Sequence, residues 1–154
     1  MNKPTVLHTK NNQPLNCGAC TFLSIMKNLE SRVSDKKTEV LEMYDHIGEV
    51  NFPCGAYIGA SMALSEILKN YNIDEENLNS KLNSIRNHFT ENYGSVQCFD
   101  IVKDFVSDDH LIMNDPDRVQ QCNDLIQATI SKVIELVFHE TNPQNPLMER
   151  YLSL

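Results

Sequence analysis

The chain has 154 residues, about the length of one domain, and 41% of them are hydrophobic. Its net charge of −8 comes from 13 lysines and arginines against 21 aspartates and glutamates, which argues against a surface for nucleic acid or anionic membrane. No stretch approaches a membrane span, and Met1 to His8 lack the apolar run of a signal peptide. We therefore expect a soluble cytoplasmic protein whose thiols stay reduced and serve as metal ligands or redox groups.

The first half of the chain predicts an arm and three helices. Residues 1–15 are polar and form the arm, and helical periodicity starts at Asn16, a suitable N-cap. A second helix is predicted from Ser34 and Asp35 to a stop at Gly48. A third has Pro53 in its first turn. The apolar positions of the three helices are Ala19, Phe22, Leu23, Ile25, Met26 and Leu29, then Val40, Leu41, Tyr44 and Ile47, then Ile58, Met62, Leu64, Ile67 and Leu68.

The second half predicts three more helices and an extension. Asp74 caps a fourth helix that ends at Gly94, a short fifth helix covers roughly 96–106, and the longest helix opens at 114–117. Their apolar stripes are Leu78, Leu82, Ile85 and Phe89, then Cys98, Ile101, Val102 and Phe105, then Val119, Cys122, Ile126, Ile130, Val133 and Val137. We predict an all-α, single-domain bundle of five or six helices: arm 1–15, cysteine-bearing domain 16–140, C-terminal extension 141–154.

The chemistry of this sequence is carried by its five cysteines. Cys17, Cys54 and Cys98 each lie at a predicted helix start, where the positive end of the helix dipole lowers a thiol pKa and favours the thiolate that binds metal or attacks disulfides. A single free cysteine is more often a small buried hydrophobe. Three cysteines in the same kind of position favour a functional site.

Cys17 and Cys20 form a C-x-x-C pair at a helix start. This spacing can make a dithiol redox pair or two metal ligands. No strand precedes it, which disfavours a thioredoxin fold, and the chain has no second C-x-x-C, which disfavours a zinc ribbon. Both readings of the pair stay open.

Four elements in order resemble the C_GCAxxG_C_C family of small helical redox-active proteins. They are NCGACTFLS with Cys17, CGAYIGASMAL with Cys54, YGSVQCFDIV with Cys98 and RVQQCNDLIQ with Cys122, and they extend over roughly residues 16–137. A related domain occurs in split-Soret cytochromes, where these cysteines are associated with an iron–sulfur cluster. The resemblance implies that Cys17, Cys54, Cys98 and Cys122 are metal ligands of a cluster, of the [2Fe–2S] type, and leaves Cys20 outside the pattern. Thr21 follows Cys20, so the Cys-x-x-Cys-His haem attachment is absent.

Small residues follow Cys54 at Gly55, Ala56 and Gly59. One interpretation makes them cofactor-binding residues, because they clear side chains from a helix start that must face a bulky cluster. The other is a close contact between two helices, which needs no metal. The two interpretations are compatible.

Three functions follow from these observations. The first is a small redox protein that binds an iron–sulfur cluster and transfers electrons to a protein partner. The second is a metal-free dithiol/disulfide protein that uses Cys17 and Cys20. The third is a non-catalytic helical subunit of a larger assembly, with a homodimer as a further option.

Overall fold

The computed structural model describes residues 3–31, 35–44, 51–108 and 110–138. Within these residues the chain forms six α-helices: α1 Cys17–Asn28, α2 Asp35–Glu42, α3 Gly55–Lys69, α4 Glu75–Tyr93, α5 Cys98–Val102 and α6 Pro116–Phe138. Two antiparallel pairs of two-residue strands accompany them, β1 Thr9–Lys10 with β2 Gln13–Pro14 and β3 Val106–Ser107 with β4 His110–Leu111. The predicted all-α single-domain fold is confirmed. The predicted extension 141–154 lies outside the described residues.

The core is built around α1, in which every residue from Gly18 to Met26 is buried. A helix that is buried on all sides is a central helix, covered by its neighbours. α1 makes its most extensive contact with α3 and packs further on α6 and α2, while α4 covers α3 and α6. No helix within the described ranges is both long and apolar enough to cross a membrane.

The predicted caps of α4 and α6 are confirmed. The side chain of Asp74 accepts a hydrogen bond from the backbone N–H of Asn77 at 2.8 Å, and Gly94 ends α4 with a φ of 77°. The Asp115 carboxylate accepts from the backbone N–H of Asp117 at 2.9 Å, at the start of α6. At the other end of α6 the buried Lys81 ammonium donates to the Leu136 carbonyl at 2.6 Å, which joins α4 to α6.

Three helix boundaries differ from their predictions. α2 ends at Glu42, and the predicted stop at Gly48 lies outside the described residues. α3 begins at Gly55 because Pro53 is held in a β-bridge with Gln97. α5 is shorter than predicted, because a 3₁₀ turn, Lys103–Phe105, and strand β3 follow it. Two predicted core positions, Val40 and Val119, are exposed.

The predicted arm is docked along α1. Asn11 and Asn12 have φ values of 51° and 63°, which suits the two-residue turn between β1 and β2. The backbone N–H of Leu7 donates to Ser24 Oγ at 2.8 Å, and that of Thr5 donates to Asn28 Oδ1 at 3.0 Å. These contacts fix the arm against the C-terminal half of α1.

Candidate functional site

The start of α1 is fixed by Asn16, immediately before Cys17. The Asn16 side chain accepts from the backbone N–H of Ala19 at 2.9 Å and donates to the Leu41 carbonyl at 2.7 Å. One carboxamide thus hydrogen-bonds a backbone N–H in the first turn of α1 and a backbone carbonyl in the last turn of α2. Cys17 is the first residue of α1 and is partly exposed.

The start of α3 lies directly against the start of α1. A Cβ atom on Gly59 would lie 2.3 Å from the Gly18 carbonyl oxygen, and one on Gly55 would lie 3.0 Å from the Gly18 nitrogen and 3.2 Å from Cys17 Cβ. Any larger residue at Gly59 would force the two backbones apart. The close-contact interpretation of the small residues is therefore confirmed, and this contact places Cys54, the N-cap of α3, beside Cys17.

A backbone bridge brings Cys54 and Cys98 together. The N–H of Cys54 donates to the Val96 carbonyl at 2.7 Å, and the N–H of Cys98 donates to the Phe52 carbonyl at 3.1 Å. Cys54 and Cys98 each follow a residue of the antiparallel Pro53–Gln97 bridge and lie on opposite sides of it, with Cys54 opposite Val96 and Cys98 opposite Phe52. Both α3 and α5 therefore begin from one paired piece of backbone.

The fourth cysteine of the pattern comes from α6. Cys122 lies in the second turn of α6 and is partly exposed. The neighbouring Gln121 side chain donates to the Ile101 carbonyl at 2.9 Å, which ties α6 to α5. Arg118, one turn before Cys122, places its Nη1 3.6 Å from the Cys122 Sγ.

The four cysteines of the pattern line one small cavity, which we call the cysteine cavity. It holds about 30 Å³ and is lined also by Gly55, Ala56 and Arg118 and by the apolar side chains of Ile101, Val102, Leu125 and Ile126. Each cysteine comes from a different helix or helix cap. Gly59 is not part of this lining and lies against Gly18 instead.

Cys20 lies elsewhere. It lines a second cavity of about 190 Å³, together with His8, Asn123 and Arg118, and its walls include Cys17 and Cys122. The structure thus separates Cys20 from Cys54 and Cys98, and makes Cys17 and Cys122 the shared wall of the two cavities. All five cysteines are free thiols.

The thiol pKa values run against the expected direction. Burial raises the pKa of Cys17 to about 12, with further contributions from the charges of Cys122, Cys98 and Cys20. Burial, then the charges of Cys17 and Cys98, likewise raise the pKa of Cys54 well above its ordinary range. The helix start acts in the predicted sense, since the N–H groups of Ala56 and Tyr57 favour the Cys54 thiolate, but desolvation and mutual repulsion outweigh it.

One contribution to the thiol pKa values, that of Arg118, was not predicted. Burial raises the pKa of Cys122, and the positive charge of Arg118 opposes this increase. The signal was present in the sequence, because Arg118 precedes Cys122 by four residues in a predicted helix and such residues share a face.

Tyr44 was predicted on the apolar face of α2, yet it follows that helix and its hydroxyl donates to the Pro53 carbonyl at 2.7 Å.

The thiols are not arranged around a single ion. Among the residues described, no three histidine, cysteine, aspartate or glutamate side chains are placed to hold one metal ion together. The ligand set Cys17, Cys54, Cys98 and Cys122 therefore stays a prediction. The geometry shows four cysteines that line one mostly apolar cavity.

Comparison with protein families gives one match. The family model described as "Putative redox-active protein (C_GCAxxG_C_C)" matches residues 15–136. Neither a curated protein nor a solved structure matches the chain. The match covers most of the chain, and the protein belongs to the C_GCAxxG_C_C family of redox-active proteins.

Proposed function

We propose that this member of the C_GCAxxG_C_C family is a small redox protein that binds an iron–sulfur cluster, of the [2Fe–2S] type, and exchanges electrons with a protein partner. The ligands are Cys17, Cys54, Cys98 and Cys122. The observation that carries the proposal is that these four cysteines, which are far apart in sequence, line one cavity.

The donor set fits such a cluster. Cysteine thiolates are the usual ligands of [2Fe–2S] clusters, four in all. Two irons share these four ligands, so the proposal does not require three thiols around one ion. The free volume of about 30 Å³ is small, and cluster binding requires the cysteine side chains or the cavity walls to move outward. When bound, the cluster supplies one-electron transfer.

The residues of the chain supply the surroundings. Apolar side chains from α5 and α6 line the cavity beside the thiols. The metal-free thiols of Cys17 and Cys54 are costly to ionise because of desolvation and repulsion between thiolates. A bound cation removes that cost, because it favours the thiolate form of its ligands. Gly55 and Ala56 present the backbone of the first turn of α3 to the cavity without side-chain bulk.

The charge of the chain supports a basic protein partner. The net charge is −8, and charge complementarity speeds the encounter of oppositely charged proteins. The net charge of the sequence thus favours a partner with a basic surface.

The test is the cofactor content of protein purified without oxygen. We expect a brown protein with about two irons and about two sulfides per chain and absorption in the visible range. Chemical reconstitution with iron and sulfide should restore any cluster lost in purification. A colourless chain with five titratable thiols, unchanged by reconstitution, would overturn the proposal and favour the helical subunit of a larger assembly.

A second function is favoured by the second cavity. Cys17 and Cys20 both line it, and the charge of Cys20 contributes to the raised pKa of Cys17. These thiols can form a dithiol/disulfide couple without metal. In that case the colourless protein has a reversible two-electron couple in a thiol–disulfide redox titration.

A further inference from the structure

We infer that Arg118 is a positioning residue of the cysteine cavity: it holds the Cys122 sulfur and stabilises the reduced, more negative state of the redox centre. This inference rests on the proposed function, because it assigns a role at the same site. It adds a residue that lies outside the cysteine pattern.

The guanidinium of Arg118 is held rigidly. The side chain is in the first turn of α6 and only 7% exposed. Nε and Nη2 donate to the Met113 carbonyl at 3.2 and 2.8 Å, and Nη1 points to Cys122 Sγ at 3.6 Å. Because the guanidinium is planar, its two hydrogen bonds to the Met113 carbonyl also fix the direction in which Nη1 points.

The charge of Arg118 has no carboxylate partner within the part of the chain that the structure describes. A buried charge is costly unless it is paired. Among the residues that the structure describes, Arg118 is the only lysine or arginine that lines either cavity, and the group opposite its Nη1 is the Cys122 thiol. The buried positive charge of Arg118 is therefore best compensated when Cys122 carries a negative charge, as a metal-bound thiolate does.

This position has a direct consequence for redox chemistry. Reduction adds one electron, taken from a reduced partner protein, and makes the centre one unit more negative without breaking a bond. A fixed positive charge beside one of the ligand sulfurs lowers the energy of that state more than the energy of the oxidised state. Charge near the sulfurs and hydrogen bonds to them are two of the factors that set cluster potentials. Arg118 thus raises the midpoint potential.

The experiment compares four variants. Arg118→Gln removes the charge, and Arg118→Met removes the charge while filling the same apolar-lined space. If one of these two variants does not fold, the other still tests the effect of the charge. Arg118→Lys keeps the charge. Arg86→Gln makes the same change on the exposed face of α4, away from both cavities, and is the matched control.

Two readouts are needed, one with cluster and one without. In the iron-loaded protein, the midpoint potential is measured by spectroscopic titration with dithionite. In the reduced, metal-free protein, the rate of iodoacetamide alkylation at Cys122 is measured by mass spectrometry and compared with the rate in the wild type. We expect the charge-removing variants to lower the potential. They should also slow alkylation of Cys122 by up to about tenfold, because loss of the neighbouring positive charge disfavours the reactive thiolate.

The outcomes separate the inference from the proposed function. Arg118→Lys should keep most of the wild-type midpoint potential and alkylation rate, and Arg86→Gln should match the wild type in both. If the wild type binds no iron, the proposed function fails while the alkylation assay still tests the contact between Arg118 and Cys122. If iron is bound but the charge-removing variants keep the wild-type potential and alkylation rate, the inference about Arg118 is wrong.

Discussion

Gly59 of α3 lies directly against the backbone of Gly18 in α1, where a Cβ atom on Gly59 would come within 2.3 Å of the Gly18 carbonyl oxygen. The obstacle is backbone, which cannot swing aside as a side chain does. Gly18 follows Cys17, and Gly59 lies one turn after Cys54 and Gly55. This close approach of α3 to α1 thus sets the distance between Cys17 and Cys54.

We therefore predict that Gly59→Ala destabilises the protein by about 1–3 kcal/mol, because the added methyl group must separate α1 from α3. The free energy of unfolding in urea measures the loss. The substitution should also lower iron content, since Cys17 and Cys54 move apart. Gly94→Ala is the comparison: it meets no atom within 4 Å, and its cost of about 1–2 kcal/mol comes from the left-handed backbone alone, with no effect on iron. A Gly59→Ala protein as stable as the wild type would contradict the contact.

The second prediction separates Cys20 from the four cysteines of the pattern. Cys20→Ser should leave the visible spectrum and the iron content unchanged, because Cys20 lines only the second cavity. Cys54→Ser and Cys98→Ser should abolish both, because serine is a poor replacement for a thiolate ligand. Iron analysis of the purified variants measures the difference.

The same series tests the metal-free alternative. A disulfide needs both sulfurs, so under that function Cys20→Ser eliminates the redox couple as completely as Cys17→Ser does. A variant set in which Cys20→Ser loses iron and Cys54→Ser keeps it would contradict the ligand assignment.

The third prediction concerns pH. Burial raises the pKa of Cys17 from 9.0 to about 12, so the folded state disfavours the thiolate that the unfolded chain forms near pH 9. The associated stability is fully present below about pH 9 and is lost as the pH rises towards about 12. The melting temperature of the reduced, metal-free protein should fall over this range.

The comparison for this prediction is a Cys17→Ala variant, which removes one of the titrating groups. Its melting temperature should depend less steeply on pH above about 9 than that of the wild type. Equal slopes would show that Cys17 ionises as easily in the folded protein as in the unfolded chain.

The fourth prediction concerns Asn16, whose side chain joins the start of α1 to the end of α2. Its Nδ2 donates to the carbonyls of Leu41, Glu42 and Tyr44 at 2.7, 3.1 and 3.3 Å, while its Oδ1 caps α1. Loss of an N-cap costs roughly 0.5–2 kcal/mol. Asn16→Ala should reach the upper end of that range, because it also removes the Nδ2 donor from the Leu41 and Glu42 carbonyls at the end of α2. Urea unfolding measures it. Asp74→Ala, which removes an exposed cap of one helix, should cost less, and equal losses would argue against the second role of Asn16.

The helices of this protein could be predicted from local signals, because those signals are short-range. Asp74 as an N-cap, Gly94 in the left-handed region and the stripe of Leu78, Ile85 and Phe89 act within one helix, and α4 forms as they indicate. Pro53 was misplaced for the opposite reason. Its partner is Gln97, on a segment distant in sequence, and that bridge delays the start of α3.

The cysteine pattern identified four residues by their order along the chain, and the structure brings those four to one cavity. Order along the chain could not show that Cys20 belongs to a different cavity, because Cys17 and Cys20 are neighbours on one helix and differ only in the direction they face within the bundle. Nor could it give the direction of the thiol pKa values. A helix start favours the thiolate wherever it occurs, whereas desolvation and repulsion between thiols exist only once α1, α3, α5 and α6 have packed together. The sequence alone predicts the helices, the order of the thiols and the family. The packing of Gly59 on Gly18 and the pairing of Pro53 with Gln97 depend on the tertiary structure, because each contact joins segments that local signals do not connect.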